Sequence, residues 1–334
     1  MISGSQRSAL EPYLTAALEL PTPQRIARLE RMALGQSRAM YRAELEPADA
    51  AGDTVDRRTL IIRVEQWGLL GSDSSDEVRA MQGLHAAGYP VARVVAYDPT
   101  TDLLSQPFFV MDFVEGTSEY TPESLRDYVA ILDRLHRMDP EEVGLGSLER
   151  PKGPRGAALL QVKRWYEVYR SGLVGEPSPL MEEAAQWLRN KAPESERIGI
   201  VHGDPGIGNY LHRDGRVSAV VDWEFVHIGD PDEDWAYLIS MRGMGVMTDD
   251  EWVAYIEDAV GVRLDRERLH YWQALNFFKA ASIDQTALRL YVEGLNPAPN
   301  MLAIGTSVHM LALQRLSKAT VLFAGDAAAR RKSF

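Results

Sequence analysis

Three polar side chains between residues 200 and 237 have the types and spacing of a phosphoryl-transfer centre. Asp204 is followed five residues later by Asn209 and thirteen residues after that by Asp222. One carboxylate can orient a hydroxyl, while an amide oxygen and a second carboxylate are hard donors of the kind Mg²⁺ takes. The flanking segments would bring the three together. Residues 198–201 and 217–221 are apolar and strand-like, and Asp214-Gly215 between them suits a two-residue turn, because both residues tolerate positive φ. A hairpin closed there sets Asn209 and Asp222 side by side near Asp204. An isolated D-x-x-x-x-N is equally a capping Asp and a turn Asn; the hairpin and both strands favour the chemical reading.

The string I-V-H-G-D-P-G-I-G-N at 200–209, with Asp222-Trp223-Glu224 after it, resembles the protein-kinase loop H-R-D-x-x-x-x-N and its following metal Asp. Gly203 in the middle place and D-W-E in place of D-F-G make it more similar to the aminoglycoside phosphotransferase and choline kinase branch of that superfamily. The resemblance implies an α+β, two-lobed protein-kinase-like fold. An antiparallel N-terminal sheet would carry one key helix, beside a larger, mainly helical C-terminal lobe, with MgATP or MgGTP between them. It implies that Asp204 accepts or orients the substrate hydroxyl proton, that Asn209 and Asp222 hold Mg²⁺ on the nucleotide phosphates, and that His202 braces the loop. For Glu224, a reach to a second metal or the substrate and a solvated surface position both stay open.

The elements that must position this centre are legible on either side of it. Residues 6–20 read as a short amphipathic helix closed by Pro21-Thr22-Pro23, and Ile26 and Leu29 put a second helical segment over 23–34. Residues 34–45 read as strand, small-residue turn and strand. Gly35 and Ser37 in that turn would let backbone N–H groups and a hydroxyl approach phosphates; a plain hairpin is the other reading. In T-L-I-I-R-V at 59–64, Arg63 is either on a solvated face or, by the resemblance, the phosphate-contacting cation paired with Glu77 on a helix over 76–87. Arg where protein kinases have Lys keeps the charge and changes the geometry. Residues 107–114 read as a buried strand. The resemblance makes it the inter-lobe hinge, with Met111 behind the adenine and the backbone of Asp112 and Val114 facing its edge.

After Gly116 the pattern turns helical, and the expected division is a nucleotide-binding lobe at 1–114 and a catalytic, substrate-binding lobe at 115–334. Thr121-Pro122-Glu123 supplies a cap, a first-turn proline and an acidic turn. Helices are expected over 157–170, 179–191, 248–260, 265–282, 285–294 and 304–323. Asp230 and Asp234 in G-D-P-x-x-D read as turn and cap residues; the resemblance adds a brace on the catalytic loop.

Composition narrows the alternatives. The 334 residues carry a net charge of −12 and no cysteine. This excludes disulfides, thiolate nucleophiles and Cys-based metal sites, and argues against nucleic-acid polymers as partners. The N-terminus lacks a signal-peptide core and no apolar run nears a bilayer span, so a cytoplasmic protein without membrane contact is expected. G-x-S-x-G, the P-loop and the His spacings of metallohydrolases are absent. The reading is a small-molecule kinase moving a γ-phosphoryl group to an alcohol, an aminoglycoside being one candidate. Its rival is a non-catalytic nucleotide-binding module. Acceptor, nucleotide preference and oligomeric state leave no trace in the sequence.

Overall fold

The computed structural model describes residues 2–32, 39–49, 57–65 and 73–322. Gly35 and Ser37 lie outside these residues. A five-stranded sheet forms the N-terminal lobe, in the order β1-β2-β3-β5-β4. Its strands are β1 (Gln24–Arg31), β2 (Ala39–Pro47), β3 (Arg58–Val64), β4 (Val94–Asp98) and β5 (Phe108–Asp112), and every pairing is antiparallel. Strand alternation sends successive side chains to opposite faces. Leu60 and Ile62 of β3 therefore join Leu10 and Leu14 of helix α1 (Gly4–Ala17), with Phe108 and Val110, in a small core. Arg63 points to the other face, towards helix α2 (Ser75–Ala86).

The helix expected over 23–34 is instead strand β1. A β-bulge lies between Ile26 and Arg28, and Ile26 pairs with Leu45 while Leu29 pairs with Ala43. The extra residue puts side chains three apart on one face, so a helical spacing arose from a bulged strand.

A second, larger core runs through the helical lobe and takes in Val78 and Leu84 of α2. It is built on α3 (Pro122–Arg137), α4 (Gly156–Ser171), α5 (Pro179–Lys191), α6 (Asp232–Tyr237), α7 (Asp249–Val260) and α8 (Arg266–Val292), followed by α9 (Pro299–Ala303) and α10 (His309–Ser317). Thr121 caps α3 with a reciprocal bond to Ser124, as the Thr-Pro-Glu start predicts. Where two helices were expected over 265–294, α8 runs unbroken; the apparent break fell on Asp284, a carboxyl buried in mid-helix.

Two small ribbons carry the central segment: β6 (Gly199–Val201) with β9 (His227–Gly229), and β7 (Tyr210–Arg213) with β8 (Arg216–Val220). Asp214 and Gly215 form the turn between β7 and β8 with φ of 50° and 76°. The hairpin read from Asp-Gly is present.

Candidate active site

The His202-Gly203-Asp204 turn leaves β6 with Gly203 at φ +85°, where a Cβ would stand 2.6 Å from the Phe225 Cβ and 2.8 Å from its carbonyl oxygen. Only glycine fits there, and the tight passage turns the next side chain, Asp204, out of the ribbon. Three side chains hold this turn. The Asp234 carboxylate accepts the N–H groups of His202 and Gly203, each at 2.8 Å, and pairs with His136 Nε2 at 2.9 Å. His202 Nδ1 accepts the Asp204 N–H at 3.2 Å, which leaves Nε2 as the protonated nitrogen donating to the Val221 carbonyl at 3.0 Å. Burial pushes the His202 imidazole below its ordinary pKa, so it braces the loop as a neutral ring. Lys279 of α8, wholly buried, donates from Nζ to the Gly203 carbonyl and lies 4.2 Å from the Phe225 ring centre and 5.0 Å from that of Trp165.

Asp204 and Asn209 meet as expected. Asn209 Nδ2 donates to the Asp204 carbonyl and to its Oδ2, both at 2.8 Å, which turns the amide oxygen the other way. The Asp204 carboxylate also receives a two-pronged contact from Arg242, Nε to Oδ1 at 3.0 Å and Nη2 to Oδ2. Burial by itself raises the Asp204 pKa; the Arg242 hydrogen bonds and charge more than offset it and hold the carboxyl below the usual range. Tyr128 steadies the far side of the loop, its hydroxyl accepting the Gly206 N–H at 2.9 Å.

Asp222 lies just past β8 with φ +71°, a left-handed conformation unusual for a residue with a side chain. Its carboxylate is ion-paired with Arg63 at 3.2 Å. Arg63 is buried and also reaches Glu77 at 2.8 Å and Glu224 at 3.8 Å. Burial works against its charge, and the three carboxylates prevail, keeping its pKa raised. The Arg63–Glu77 pair of the sequence reading is formed, and Glu224 joins the same cluster.

Asp112 and Val114 stand at the end of β5. The Asp112 N–H donates to the Arg93 carbonyl at 2.9 Å. Its side chain pairs with Arg58 at 2.7 Å and Arg93 at 3.2 Å. Both residues line an open groove of about 780 Å³ with Thr59, Val217 and Ser218.

Arg242 and Lys279 were not singled out from sequence. A lone Arg after an acidic helix, and a Lys within an apolar helix pattern, carry no local signature, since each finds its partner 38 and 76 residues away.

The phosphotransferase enzyme family model matches residues 17–272 of this sequence. The chain belongs to the phosphotransferase enzyme family. Like it, a putative aminoglycoside phosphotransferase from Ralstonia eutropha has this fold, with a TM-score of 0.68 at 21% identity over 93% of this chain and 97% of that one. Aminoglycoside phosphotransferase APH(4)-Ia, solved as a ternary complex with AMP-PNP and hygromycin B, superposes with a TM-score of 0.61 at 17% identity, over 93% and 97% of the two chains. Human acyl-CoA dehydrogenase family member 11 is 24% identical over 263 residues, 71% of this chain and 34% of its own. This family member thus spans about a third of the length of that relative. The expected two-lobed protein-kinase-like fold is the one observed, and no helix among the described residues is long and apolar enough to cross a membrane.

Proposed function

We propose that the protein transfers the γ-phosphoryl group of ATP or GTP to a hydroxyl of a small molecule. The observation that carries this reading is that Asn209 donates to Asp204 while its carbonyl accepts the Val221 N–H, next to Asp222 and its ion pair with Arg63. The acceptor oxygen forms a bond to the γ-phosphorus while the bond from phosphorus to the β–γ bridging oxygen breaks, releasing nucleoside diphosphate and leaving a phosphate monoester. Asp204, kept ionised by Arg242, orients the hydroxyl and receives its proton. Oδ2 already accepts from both Arg242 and Asn209, so Oδ1, which faces Arg242 Nε, is the oxygen with a lone pair left for that hydroxyl.

The residues present suit Mg²⁺. Among the described residues no three His, Cys, Asp or Glu side chains form a metal cage, but Mg²⁺ is commonly bound by one or two protein oxygens together with substrate phosphates. The Asn209 amide oxygen and the Asp222 carboxylate are such donors, and the positive φ of Asp222 is a strained conformation of the kind found at ligand clamps. When bound, the ion would neutralise phosphate charge. Arg63, fixed by Glu77, adds a permanent cation for phosphate oxygens, and the Asp112 carbonyl and Val114 N–H would meet the base. Gly35 and Ser37 are proposed for the phosphate-facing turn on the sequence reading alone. The rival reading, a non-catalytic nucleotide-binding module, drew on Arg63 standing where protein kinases have Lys. The 2.8 Å pair with Glu77 supports the catalytic reading, and the transfer experiment decides between the two.

Two relatives suggest acceptors to include. The APH(4)-Ia complex holds hygromycin B, which motivates aminoglycosides, and the acyl-CoA dehydrogenase name of the human relative motivates a hydroxyacyl thioester. The test is transfer of labelled γ-phosphate from ATP and from GTP, with Mg²⁺, to a panel of alcohols containing both. A labelled monoester that is lost with Asp222→Asn supports the reading. Nucleotide binding without transfer to any alcohol favours the binding module.

A further inference from the structure

Arg242 does more than the loop requires. Its stem is wedged against Gly206, whose φ is +145° and where a Cβ would stand 2.2 Å from the Arg242 Cβ. Gly206 thus makes room for this one side chain. The backbone leading to it, Leu238–Arg242, is a π-helical turn continuing α6, a distortion that occurs often at functional sites. Local geometry is therefore arranged to deliver a guanidinium onto the carboxylate that faces the acceptor. The placement is also open, because the Arg242 side chain remains 38% exposed while Asp204 is 6% exposed.

A guanidinium has five N–H donors. Nε and Nη2 each give one to Asp204, so three remain, and no other described residue accepts from them. That outer edge is the solvent-facing flank of the Arg242–Asp204 pair, and an acceptor approaching the buried Asp204 from solvent passes it. An ammonium group there would be repelled, whereas a carboxylate or phosphate would take two parallel charge-assisted hydrogen bonds. Besides Asp204, the Asp222 carboxylate acts on the Arg242 charge, and the proposed Mg²⁺ and Arg63 offset it; a further acidic group comprises Asp73, Asp76, Glu77, Glu149 and Glu167. They line a different cavity, of about 330 Å³, to which neither Asp204 nor Arg242 contributes.

We infer that Arg242 is the acceptor-recognition residue and that the acceptor is an alcohol bearing an anionic group, carboxylate or phosphate, close to the hydroxyl that is phosphorylated. This rests on the phosphoryl-transfer reading and narrows its substrate class away from amino sugars. Arg242 then serves two partners with two edges, Asp204 on one and the acceptor anion on the other.

The experiment compares acceptors that share a carbon skeleton: hydroxyalkanoates of graded length, their primary amides, the matching hydroxyalkyl phosphates and the matching amino alcohols. Transfer from labelled ATP and GTP is followed for wild type, Arg242→Gln and Arg242→Lys. The expected wild-type kcat/KM for an anionic member exceeds that of its amide by about tenfold or more, and the carboxylate and phosphate arms tell which anion is read. Arg242→Gln should collapse that ratio to about twofold, with a rise in KM for the anion, and Arg242→Lys should keep part of it, since charge remains and the fork is lost. Amides or amino alcohols phosphorylated by wild type as well as the anions would overturn the inference and leave the kinase reading standing. Absence of transfer to every acceptor would overturn both. The wild-type ratio decides by itself, so a variant that fails to fold does not protect the inference.

Discussion

Arg63 Nη2 lies 3.2 Å from Asp222 Oδ1, while Nη1 of the same guanidinium lies 2.8 Å from Glu77 Oε1. One side chain on the third strand of the N-terminal sheet thereby ties the key helix to the segment beyond the 210–220 hairpin. Such a tie joins two of the segments between which the nucleotide is proposed to bind. Burial makes it a demanding arrangement: removing one member of a buried ion-paired cluster leaves the others uncompensated, which is strongly destabilising, about 3–5 kcal/mol.

For Arg63 the fork matters as well as the charge. Arg63→Lys retains a cation that a single ammonium cannot place against Glu77 and Asp222 at once. We expect kcat/KM for the nucleotide to fall about tenfold in Arg63→Lys and about a hundredfold or more in Arg63→Met. Steady-state kinetics at saturating acceptor check this, with circular dichroism melting to separate lost stability from lost chemistry.

The Asp234 carboxylate is buried, yet His136 and the backbone N–H groups of His202 and Gly203 hold its pKa below the usual carboxylate range against the opposing effect of burial. A depressed folded-state pKa contributes stability that is present above the unfolded carboxylate pKa and lost as pH falls through the folded value. Asp234→Asn should therefore lower the urea midpoint at pH 7 and narrow its gap to wild type as pH falls below the ordinary carboxylate value of 3.8. A constant gap across that range would contradict the assignment.

Lys279 tests positioning and stability together. Its ammonium is wholly buried, and desolvation lowers its pKa against the opposing charge of buried Glu233. Removing one partner of a buried charge pair leaves the other uncompensated and is destabilising. Lys279→Met should therefore lower the melting temperature, and kcat of the folded variant should fall about tenfold because the Gly203 carbonyl loses its anchor and Asp204 its orientation. Loss of stability with kcat intact would mark Lys279 as a packing residue only.

Asp284 gives a pH signature unrelated to catalysis. Burial pushes its carboxyl up from 3.8 to about 7, and its Oδ2 finds no hydrogen-bond partner among the described residues. A raised folded-state pKa favours the native state fully below the unfolded value, and the benefit is lost as pH rises through the folded one. Asp284→Asn should match wild type in melting temperature near pH 4. It should exceed wild type increasingly up to pH 7 and hold a constant advantage of at most about 4 kcal/mol above it.

Most of the candidate site was legible because its pieces are local. Asp204, Asn209 and Asp222 fall within one short segment, and the Asp214-Gly215 turn that folds it announces itself by residue type. Arg63 and Glu77 were found through the family pattern, and the structure pairs them. Arg242 and Lys279 were missed because their meaning is set by tertiary contacts with no sequence period. The first sheet strand was missed for a different reason. The bulge after Ile26 gave a strand the spacing of a helix, and the composition around it, rich in Arg and Glu, offered no β-branched run to correct the reading. The division at residue 114 remains our proposal. The end of β5 at Asp112 and the start of α3 at Pro122 bracket it.

The central claim is that Asp204 faces the acceptor hydroxyl while nucleotide is held by other residues. Asp204→Asn keeps the size of the side chain and removes its basicity. The most direct measurement is single-turnover transfer of labelled γ-phosphate to a turned-over acceptor, run beside nucleotide affinity for the same variant. We predict a fall in transfer of about a thousandfold, with the nucleotide dissociation constant changed by less than about threefold. Transfer within a few-fold of wild type would contradict the account.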